Sequence, residues 1–511
     1  MTWESSAITI TTLLPILGAL VIVLVPRDRE RMVRGLGILF TGAALVLSIG
    51  IAIGFDYGVP GLQYELDVNW ISAIGARYHV GIDGISMPLY VLTFLLSFLC
   101  AVYTWRFVPE PGRTKAFLAL TLLLETGMAG TFIAFDLILF FVFWEMVLVP
   151  MYFLIGIWGS ANREYAAIKF FLYTLFGSVF MLLGFLGLYF NGPEPHTFDL
   201  VKLTEFGAAG GYAHAFQLIV FGAVALGFAI KVPMWPFHTW LPDAHTEAPT
   251  IGSVLLAGIM LKMGTYGFVR IALPVLPEGA QAYAPLIGIL GAIAIVYGAL
   301  ACLAQRDLKR LIAFSSVGHM GFVMLGIATL TEIGIQAAIF GMVAHGIITG
   351  MLFFCVGSIY DRYHTRQISE IGGGMAQRMP KLAGVFAFVA IASLGLPGLA
   401  GFWGEVMALL SAFSPNEALL GGQVGLFRGL MVAGGVGTIL TAGYFLWMLQ
   451  RVNMGPMPER WSEHALGDMQ SVEWLSWTPL LVLILALGLF PRLIFGVSQE
   501  AVGGILAVLG G

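Results

Sequence analysis

The chain has 511 residues, of which 59% are hydrophobic and only 11% are charged, and its mean hydropathy is +0.90. Soluble domains carry about 25% charged residues, so the composition excludes a large soluble enzyme and indicates a protein that crosses a membrane many times. The net charge is −4, and the basic residues form no patch with aromatic residues, which argues against nucleic-acid binding. The three cysteines lie far apart in apolar stretches, so no zinc or iron–sulfur spacing is present.

Apolar runs follow one another along the whole chain. A membrane-spanning helix needs about 20 apolar residues, and about fourteen such runs are present: 8–25, 33–54, 84–105, 116–133, 135–158, 166–190, 215–240, 250–272, 284–304, 307–328, 332–358, 383–412, 425–450 and 475–494. Four arginines follow the first run, and no small-residue cleavage site does, so we predict a membrane helix there and not a cleaved signal peptide. From Gln499 we predict a short further helix along the membrane surface. The predicted fold is an all-α polytopic membrane protein, one membrane domain over 1–511.

The loops between these runs predict the orientation. One alternate set of loops holds 18 of the 25 lysines and arginines. Because basic loops stay in the cytoplasm, both termini are predicted on the periplasmic side.

Two of the runs are interrupted by proline. They are GFAIKVPMWPFHTWLPDAH (227–245) and IASLGLPGLAGFWGE (391–405). Proline leaves a backbone carbonyl without its partner, which a membrane tolerates only beside protein or water. Broken helices of this kind are typical of transporters, and two of them indicate two structurally repeated halves.

Four charges stand inside apolar runs, namely Glu145, Lys231, Lys262 and Glu405. Left unpaired, they would cost on the order of 10 kcal/mol in total, so they must be paired, hydrated or neutral. Burial disfavours the charged form of both residue types and pairing favours it. A glutamate–lysine pair that opens and closes can therefore load and release a proton. The alternative is a set of ion pairs that only hold helices together.

Histidines also lie inside these runs. His319 and His345 can relay protons, because an imidazole titrates near neutral pH. His238 and His245 flank the WLPDAH turn, where we expect caps or loop contacts. Glu125 is a weaker candidate, and Asp83 and Asp136 are expected to cap helices. No motif for covalent catalysis or dinucleotide binding is present in the sequence.

Several of these segments closely resemble the antiporter-like subunits of respiratory complex I. They are FFVFWEMVLVPMYFLIGIWG (140–159), KVPMWPFHTWLPDAHTEAPTIGSVLLAGIMLKMGTYGFVR (231–270), LKRLIAFSSVGHMGFVMLG (308–326) and GLPGLAGFWGE (395–405). The resemblance spans roughly 80–450. Glu405 stands where the L- and N-type subunits usually carry lysine, so the chain is most similar to the M-type subunits of bacterial NADH-quinone oxidoreductase.

The resemblance implies an antiporter-like fold with two inverted repeats. It also implies three N-terminal helices (1–110), a proton-translocating core (111–450) and a C-terminal helix and tail (451–511). By family analogy Glu145 and Lys231 form a gating pair, Lys262 with His319 and His345 forms a central relay, and Glu405 is the terminal group. NADH, flavin, iron–sulfur clusters and quinone would belong to other subunits, so no cofactor or metal is expected on this chain.

The same resemblance implies a place in the bacterial inner membrane among lipid, with L- and N-type subunits as neighbours and no nucleic acid. The chain would act as one subunit of a proton-translocating NADH:quinone oxidoreductase. Three alternatives remain at this stage: a subunit of a Mrp-type cation/proton antiporter, the membrane arm of a hydrogenase-type complex, and an inert scaffold.

Overall fold

The computed structural model describes residues 3–461 and 466–510. The first part of the chain forms these elements: α1 Trp3–Leu24, α2 Glu30–Gly54, β1 Gln63–Ile71, β2 Ala76–Ile82, α3 Ser86–Tyr103, α4 Thr114–Ile133, α5 Leu137–Met146, α6 Leu148–Trp158, α7 Arg163–Asn191, α8 Leu200–Ala208, α9 His214–Lys231 and α10 Trp240–Glu247. A single turn of 3-10 helix, Ser72–Ile74, joins the two strands.

The next helix is one continuous span, Thr250–Val275, built from three α-helical pieces and two π-helical turns. The pieces are α11 Thr250–Leu255, α12 Leu261–Gly267 and α13 Leu273–Val275, with π-helix at Leu256–Met260 and Phe268–Ala272. The remaining helices are α14 Pro277–Leu303, α15 Leu308–Ala328, α16 Glu332–Tyr363, α17 Ile368–Ile371, α18 Met375–Arg378, α19 Pro380–Ser393, α20 Ala400–Phe413, α21 Glu417–Leu420, α22 Val424–Val452, α23 Ser471–Leu489 and α24 Arg492–Gly510.

Among the described residues, fourteen helices are long and apolar enough to cross a membrane. Thirteen of these helices coincide with predicted apolar runs, and the fourteenth is the last helix, α24. The predicted run 383–412 consists instead of two shorter apolar helices, α19 and α20. The helical membrane fold is therefore confirmed. The final helix begins at Arg492, seven residues before the predicted start, and its position along the membrane surface stays a prediction.

The two predicted halves repeat each other in inverted orientation. An aspartate caps α5 and another caps α15. Each of the two also forms a β-bridge with a residue farther along the chain, Asp136 with Asp199 and Asp307 with Gln367. The backbone hydrogen bonds have the same pattern in both places: Leu137 to Phe198 and Leu200 to Phe135, then Leu308 to Arg366 and Ile368 to Arg306. Five membrane spans separate these two starts. Because five is odd, the repeated feature lies at opposite ends of the bundle.

One end of the bundle carries a β-hairpin that no sequence pattern predicted. Strands β1 and β2 pair antiparallel, and the hairpin packs against α1, where the Tyr78 hydroxyl bonds to Thr9 at 3.1 Å. The amphipathic helix α8 and the last helix α24 lie at this end too, in contact with each other and with α13. We call it the hairpin end. The opposite end, which holds the arginine-rich loop after α1, is the basic end.

The core lies around the span Thr250–Val275 and helix α16, the two most buried of the long helices. Both predicted breaks occur where expected. Helix α9 ends at Lys231 and the chain resumes as α10 at Trp240, while α19 ends at Ser393 and α20 begins at Ala400. The breaks place Lys231 at a helix terminus and Glu405 in the second turn of a new helix, both within the bundle.

Candidate functional site

Lys262 is at the centre of the site. It lies between the two π-helical turns; its amine donates a hydrogen bond to the carbonyl of Ala257 and lies 2.6 Å from Nδ1 of His345. Isolated π-helical turns occur frequently at functional sites. The close approach of the two helices depends on Gly346, since a Cβ there would lie 2.7 Å from the carbonyl of Gly258. A lysine and a histidine on separate helices are thus in direct contact.

His319 and Glu405 form a second contact beside the first. The His319 ring lies 5.7 Å from the His345 ring, measured between centroids. Its Nδ1 lies 2.9 Å from Oε1 of Glu405, and its Nε2 lies 3.1 Å from the hydroxyl of Ser393. Gly395 in the break has φ +81°, and a Cβ there would lie 3.0 Å from Oε2 of Glu405. The break therefore leaves room for the carboxyl group beside the histidine.

A small cavity joins these two contacts. Its volume is about 30 Å³, and it is lined by His319, His345, Thr349, Ser393 and Glu405, among others. Nε2 of His345, the hydroxyl of Thr349 and Oε2 of Glu405 are buried and have no partner in the part of the chain that the structure describes. Buried polar atoms are nearly always hydrogen-bonded to protein or water, and a cavity of this size holds roughly two water molecules. The arrangement suits a short water bridge from His345 to Glu405.

Glu145 and Lys231 lie close enough for their charges to interact, but no ion pair within 4.0 Å joins them. The Lys231 amine lies 5.0 Å from the centroid of the Trp144 ring, whose Nε1 donates to Ser178 at 3.0 Å. Glu145 is only half-buried, whereas Lys231, Lys262 and Glu405 are buried. The predicted gating pair is therefore open in this structure, and its role stays a prediction.

The helix that carries Glu145 was predicted as one run but is interrupted at Val147, between α5 and α6. Pro150 explains the interruption, because it has no N–H to offer the carbonyl of Met146 four residues earlier.

Asp83 and Asp136 do cap helices, as expected, by accepting backbone N–H groups at the starts of α3 and α5. Asp83 also forms a buried ion pair with Arg270 at 2.5 Å.

His245 was expected to make a cap or loop contact, and that expectation was wrong for its ring. Neither ring nitrogen has a partner among the described residues, although the side chain is fully buried and stacks on Phe353 at 4.5 Å. Lys309, in the first turn of α15 at the basic end, is also buried and donates to the carbonyl of Ala248. The charges of Lys309 and Lys262 both act on His245. A buried histidine without a hydrogen-bond partner for its ring among the described residues thus lies near enough to both lysines to feel their charges.

Lys309 was counted from sequence as an ordinary loop charge, and only its burial distinguishes it. Glu125, the weaker carboxylate candidate, is fully buried, and over residues 3–461 and 466–510 neither of its oxygens has a partner. Within the described part of the chain, one group has metal-ligand spacing: Asp67, His79 and Asp199, at the hairpin end and away from this row.

Comparisons with known proteins agree with the fold and with the resemblance seen in the sequence. The family described as NADH:quinone oxidoreductase/Mrp antiporter, TM matches residues 134–427, a range that contains all six predicted site residues. NADH-quinone oxidoreductase subunit M of Rhodobacter capsulatus is 42% identical over 504 residues, 95% of this chain and 94% of that protein.

Two solved structures have the same fold. One is a chain of respiratory complex I from Thermus thermophilus with bound NADH, with a TM-score of 0.86 and 29% identity, covering 99% of this chain and 100% of that one. The other, from the Mrp complex of Dietzia sp. DQ12-45-1b, has a TM-score of 0.87 at 22% identity and covers 100% of both chains. The chain therefore belongs to the NADH:quinone oxidoreductase/Mrp antiporter family and, within it, to the NADH-quinone oxidoreductase subunit M proteins.

Proposed function

We propose that this chain, as a membrane-arm subunit of an NADH:quinone oxidoreductase, moves protons through Lys262, His345, His319 and Glu405. The observation that carries the proposal is the pair of contacts, Lys262 with His345 and His319 with Glu405, beside one cavity of about 30 Å³. The six residues Glu145, Lys231, Lys262, His319, His345 and Glu405 carry the activity, and electron transfer takes place in other subunits.

The Lys262–His345 contact can exist in two protonation states. A charged amine donates to a neutral imidazole, or a neutral amine accepts from the imidazole Nδ1, and transfer of one proton converts the first state into the second. The free Nε2 of His345 then passes a proton to water in the cavity. His319 and Glu405 receive it, because Glu405 offers a free oxygen to the same cavity.

The Glu145–Lys231 pair controls this relay. With the pair open, Lys231 stays charged beside Trp144 and opposes a second positive charge on Lys262. Closing the pair neutralises Lys231 and allows Lys262 to accept a proton. The membrane potential supplies free energy for changing these charges, because moving one elementary charge across 100 mV is worth about 2.3 kcal/mol. Redox chemistry in other subunits opens and closes the pair through charges at the surface of this chain.

The basic end supplies protons through Lys309 and His245. Lys309 lies at the bundle end, and His245 is within electrostatic reach of both Lys309 and Lys262, with no partner for either ring nitrogen among the described residues. A neutral imidazole with two free nitrogens can accept a proton at one nitrogen and release it at the other. This route would load Lys262 from the cytoplasm. The termini, at the hairpin end, would then face the periplasm, in agreement with the distribution of lysine and arginine.

Neighbouring subunits complete the site. Glu145 is half-buried inside a membrane-spanning segment and would otherwise meet lipid, which is costly for a carboxylate. Antiporter-like subunits of the L and N types, in the bacterial inner membrane, are the neighbours that would cover it and transmit the redox signal. Flavin, iron–sulfur clusters and quinone belong to other subunits, and this chain holds no cofactor.

Glu145→Gln and Glu405→Gln test the proposal in the assembled complex. Both keep the shape of the side chain but remove its charge, and we expect each to abolish most NADH-driven proton uptake in inverted membrane vesicles. Glu164→Gln, at an exposed position in the first turn of α7, is the matched control and should pump normally. Normal pumping by both test variants would refute the proposal. Sodium-dependent proton exchange without NADH would instead indicate an antiporter of the Mrp type.

A further inference from the structure

His79 at the hairpin end is held between two carboxylates that come from different elements. Its Nδ1 lies 2.7 Å from Oδ2 of Asp199, the N-cap of α8, and its Nε2 lies 2.8 Å from Oε1 of Glu65 in strand β1. Asp67, also in β1, is the third carboxylate of this group. One ligand atom each from Asp67, His79 and Asp199 lie within 4.8 Å of one another.

We propose that Asp67, His79 and Asp199 bind one divalent transition-metal ion with the ligand preferences of zinc. Zinc binds histidine nitrogen and carboxylate oxygen, and an open zinc site has three protein ligands and a further position for water. Calcium and magnesium prefer sites made of oxygen atoms alone, so the histidine favours zinc or a similar ion. This site lies apart from the row of charges in the membrane and needs no residue of that row.

The charges around His79 favour a divalent cation. Four carboxylates face this region, and two cations accompany them: Glu65, Asp67, Asp136 and Asp199 against Arg77 and Lys202. With a neutral histidine the local charge is −2, which one divalent ion balances. Arg77 already bonds to Asp67 at 2.5 Å. The ion therefore shares Asp67 with the guanidinium, and that oxygen is the weakest of the three ligands.

The histidine is also oriented as metal-binding histidines are. In such sites the second ring nitrogen usually donates to a carboxylate or a backbone carbonyl, which fixes the ring and raises its basicity. Each nitrogen of His79 faces a carboxylate, so whichever one binds the ion leaves the other with a carboxylate acceptor. His79 and Asp199 are 3% exposed, while the Asp67 side chain is 36% exposed. An ion can thus enter from solvent past Asp67 and meet a rigid pair below it.

A bound ion would join three parts of the hairpin end. Asp67 and His79 belong to the two strands of the hairpin, and Asp199 begins α8. The backbone of Asp199 also pairs with Asp136, which caps α5, the helix that carries Glu145. The ion would hold the hairpin against the starts of both helices.

Zinc titration of the assembled complex in detergent, against a chromophoric zinc chelator, tests the proposal. We compare the wild type with His79→Gln and Asp67→Asn, and we expect the His79→Gln complex to bind one zinc ion fewer than the wild type. Glu65→Gln, which removes a carboxylate that orients His79, should weaken that site about 10- to 100-fold. Asp67→Asn, which removes a charged ligand, should weaken it at least as much. His214→Gln is the matched control, because His214 at the same end contacts a single carboxylate, Glu278, at 2.6 Å. It should bind as much zinc as the wild type.

Equal zinc stoichiometry and affinity in the wild type, His79→Gln and Asp67→Asn would overturn the proposal and leave His79 as a proton-bound clamp alone. If His79→Gln fails to assemble, Asp67→Asn decides the question, since Asp67 is partly exposed and its replacement leaves the buried pair intact. Zinc sites on other subunits are common to all variants, so the difference between variants measures this site.

Discussion

Replacing His345 by glutamine separates a proton relay from a structural contact. The Lys262 amine and Nδ1 of His345 are 2.6 Å apart, and when the amine is charged their hydrogen bond is worth about 1.5–3 kcal/mol. A glutamine oxygen can accept the same bond, so His345→Gln should change the free energy of unfolding by less than about 1.5 kcal/mol. Glutamine does not titrate, however. The centroid of the next ring, His319, lies 5.7 Å away, and Nε2 of His345 has no hydrogen-bond partner among the described residues, so no hydrogen bond to His319 replaces the lost imidazole.

We therefore expect His345→Gln to assemble normally but to lose most NADH-driven proton translocation and the electron transfer coupled to it. The assay is proton uptake by proteoliposomes that contain the complex, with NADH oxidation measured in parallel and thermal unfolding as the stability readout. His196→Gln, in the hairpin-end loop where His196 lies against Tyr189, is the control and should pump normally. A His345→Gln complex that pumps at the wild-type proton-to-NADH ratio would refute the relay and leave a structural role for the histidine.

Two further perturbations test the second break and the hairpin end. Gly395→Ala and Gly398→Ala both place a side chain at positive φ, at a cost of roughly 1–2 kcal/mol each, but only Gly395→Ala brings a Cβ to 3.0 Å from Glu405. We therefore expect both variants to lower the melting temperature and only Gly395→Ala to lower proton translocation. Equal pumping by the two variants would contradict this account. Burial lowers the pKa of His79, but the bonds and charges of Asp199 and the neighbouring carboxylates outweigh it and raise that pKa above its ordinary value. The charged form of His79 therefore stabilises the fold fully below about pH 6.5 and progressively less as the pH rises through the raised pKa. In metal-free protein the melting temperature should fall over this pH range more in the wild type than in His79→Gln. Melting temperatures that change with pH in parallel in the two proteins would contradict this prediction.

The sequence was sufficient to predict the membrane fold, because length and hydropathy limit a spanning segment to one kind of structure. It was also sufficient to find Lys231, Lys262 and Glu405, since a charge inside an apolar run is recognisable without coordinates. The two breaks were predicted from their prolines and glycines. The hairpin and the π-helical turns were not, because their backbone bonds depend on neighbours distant in sequence.

The tertiary structure alone decided which of these residues are in contact. Lys262 and His345 are 83 residues apart, and His319 and Glu405 are 86 apart, so no local pattern could pair them. It also showed that no ion pair joins Glu145 and Lys231, and that neither ring nitrogen of the buried His245 has a partner among the described residues. Hydropathy determines that a charge is buried in the membrane, but the packing of helices determines which partner it meets there.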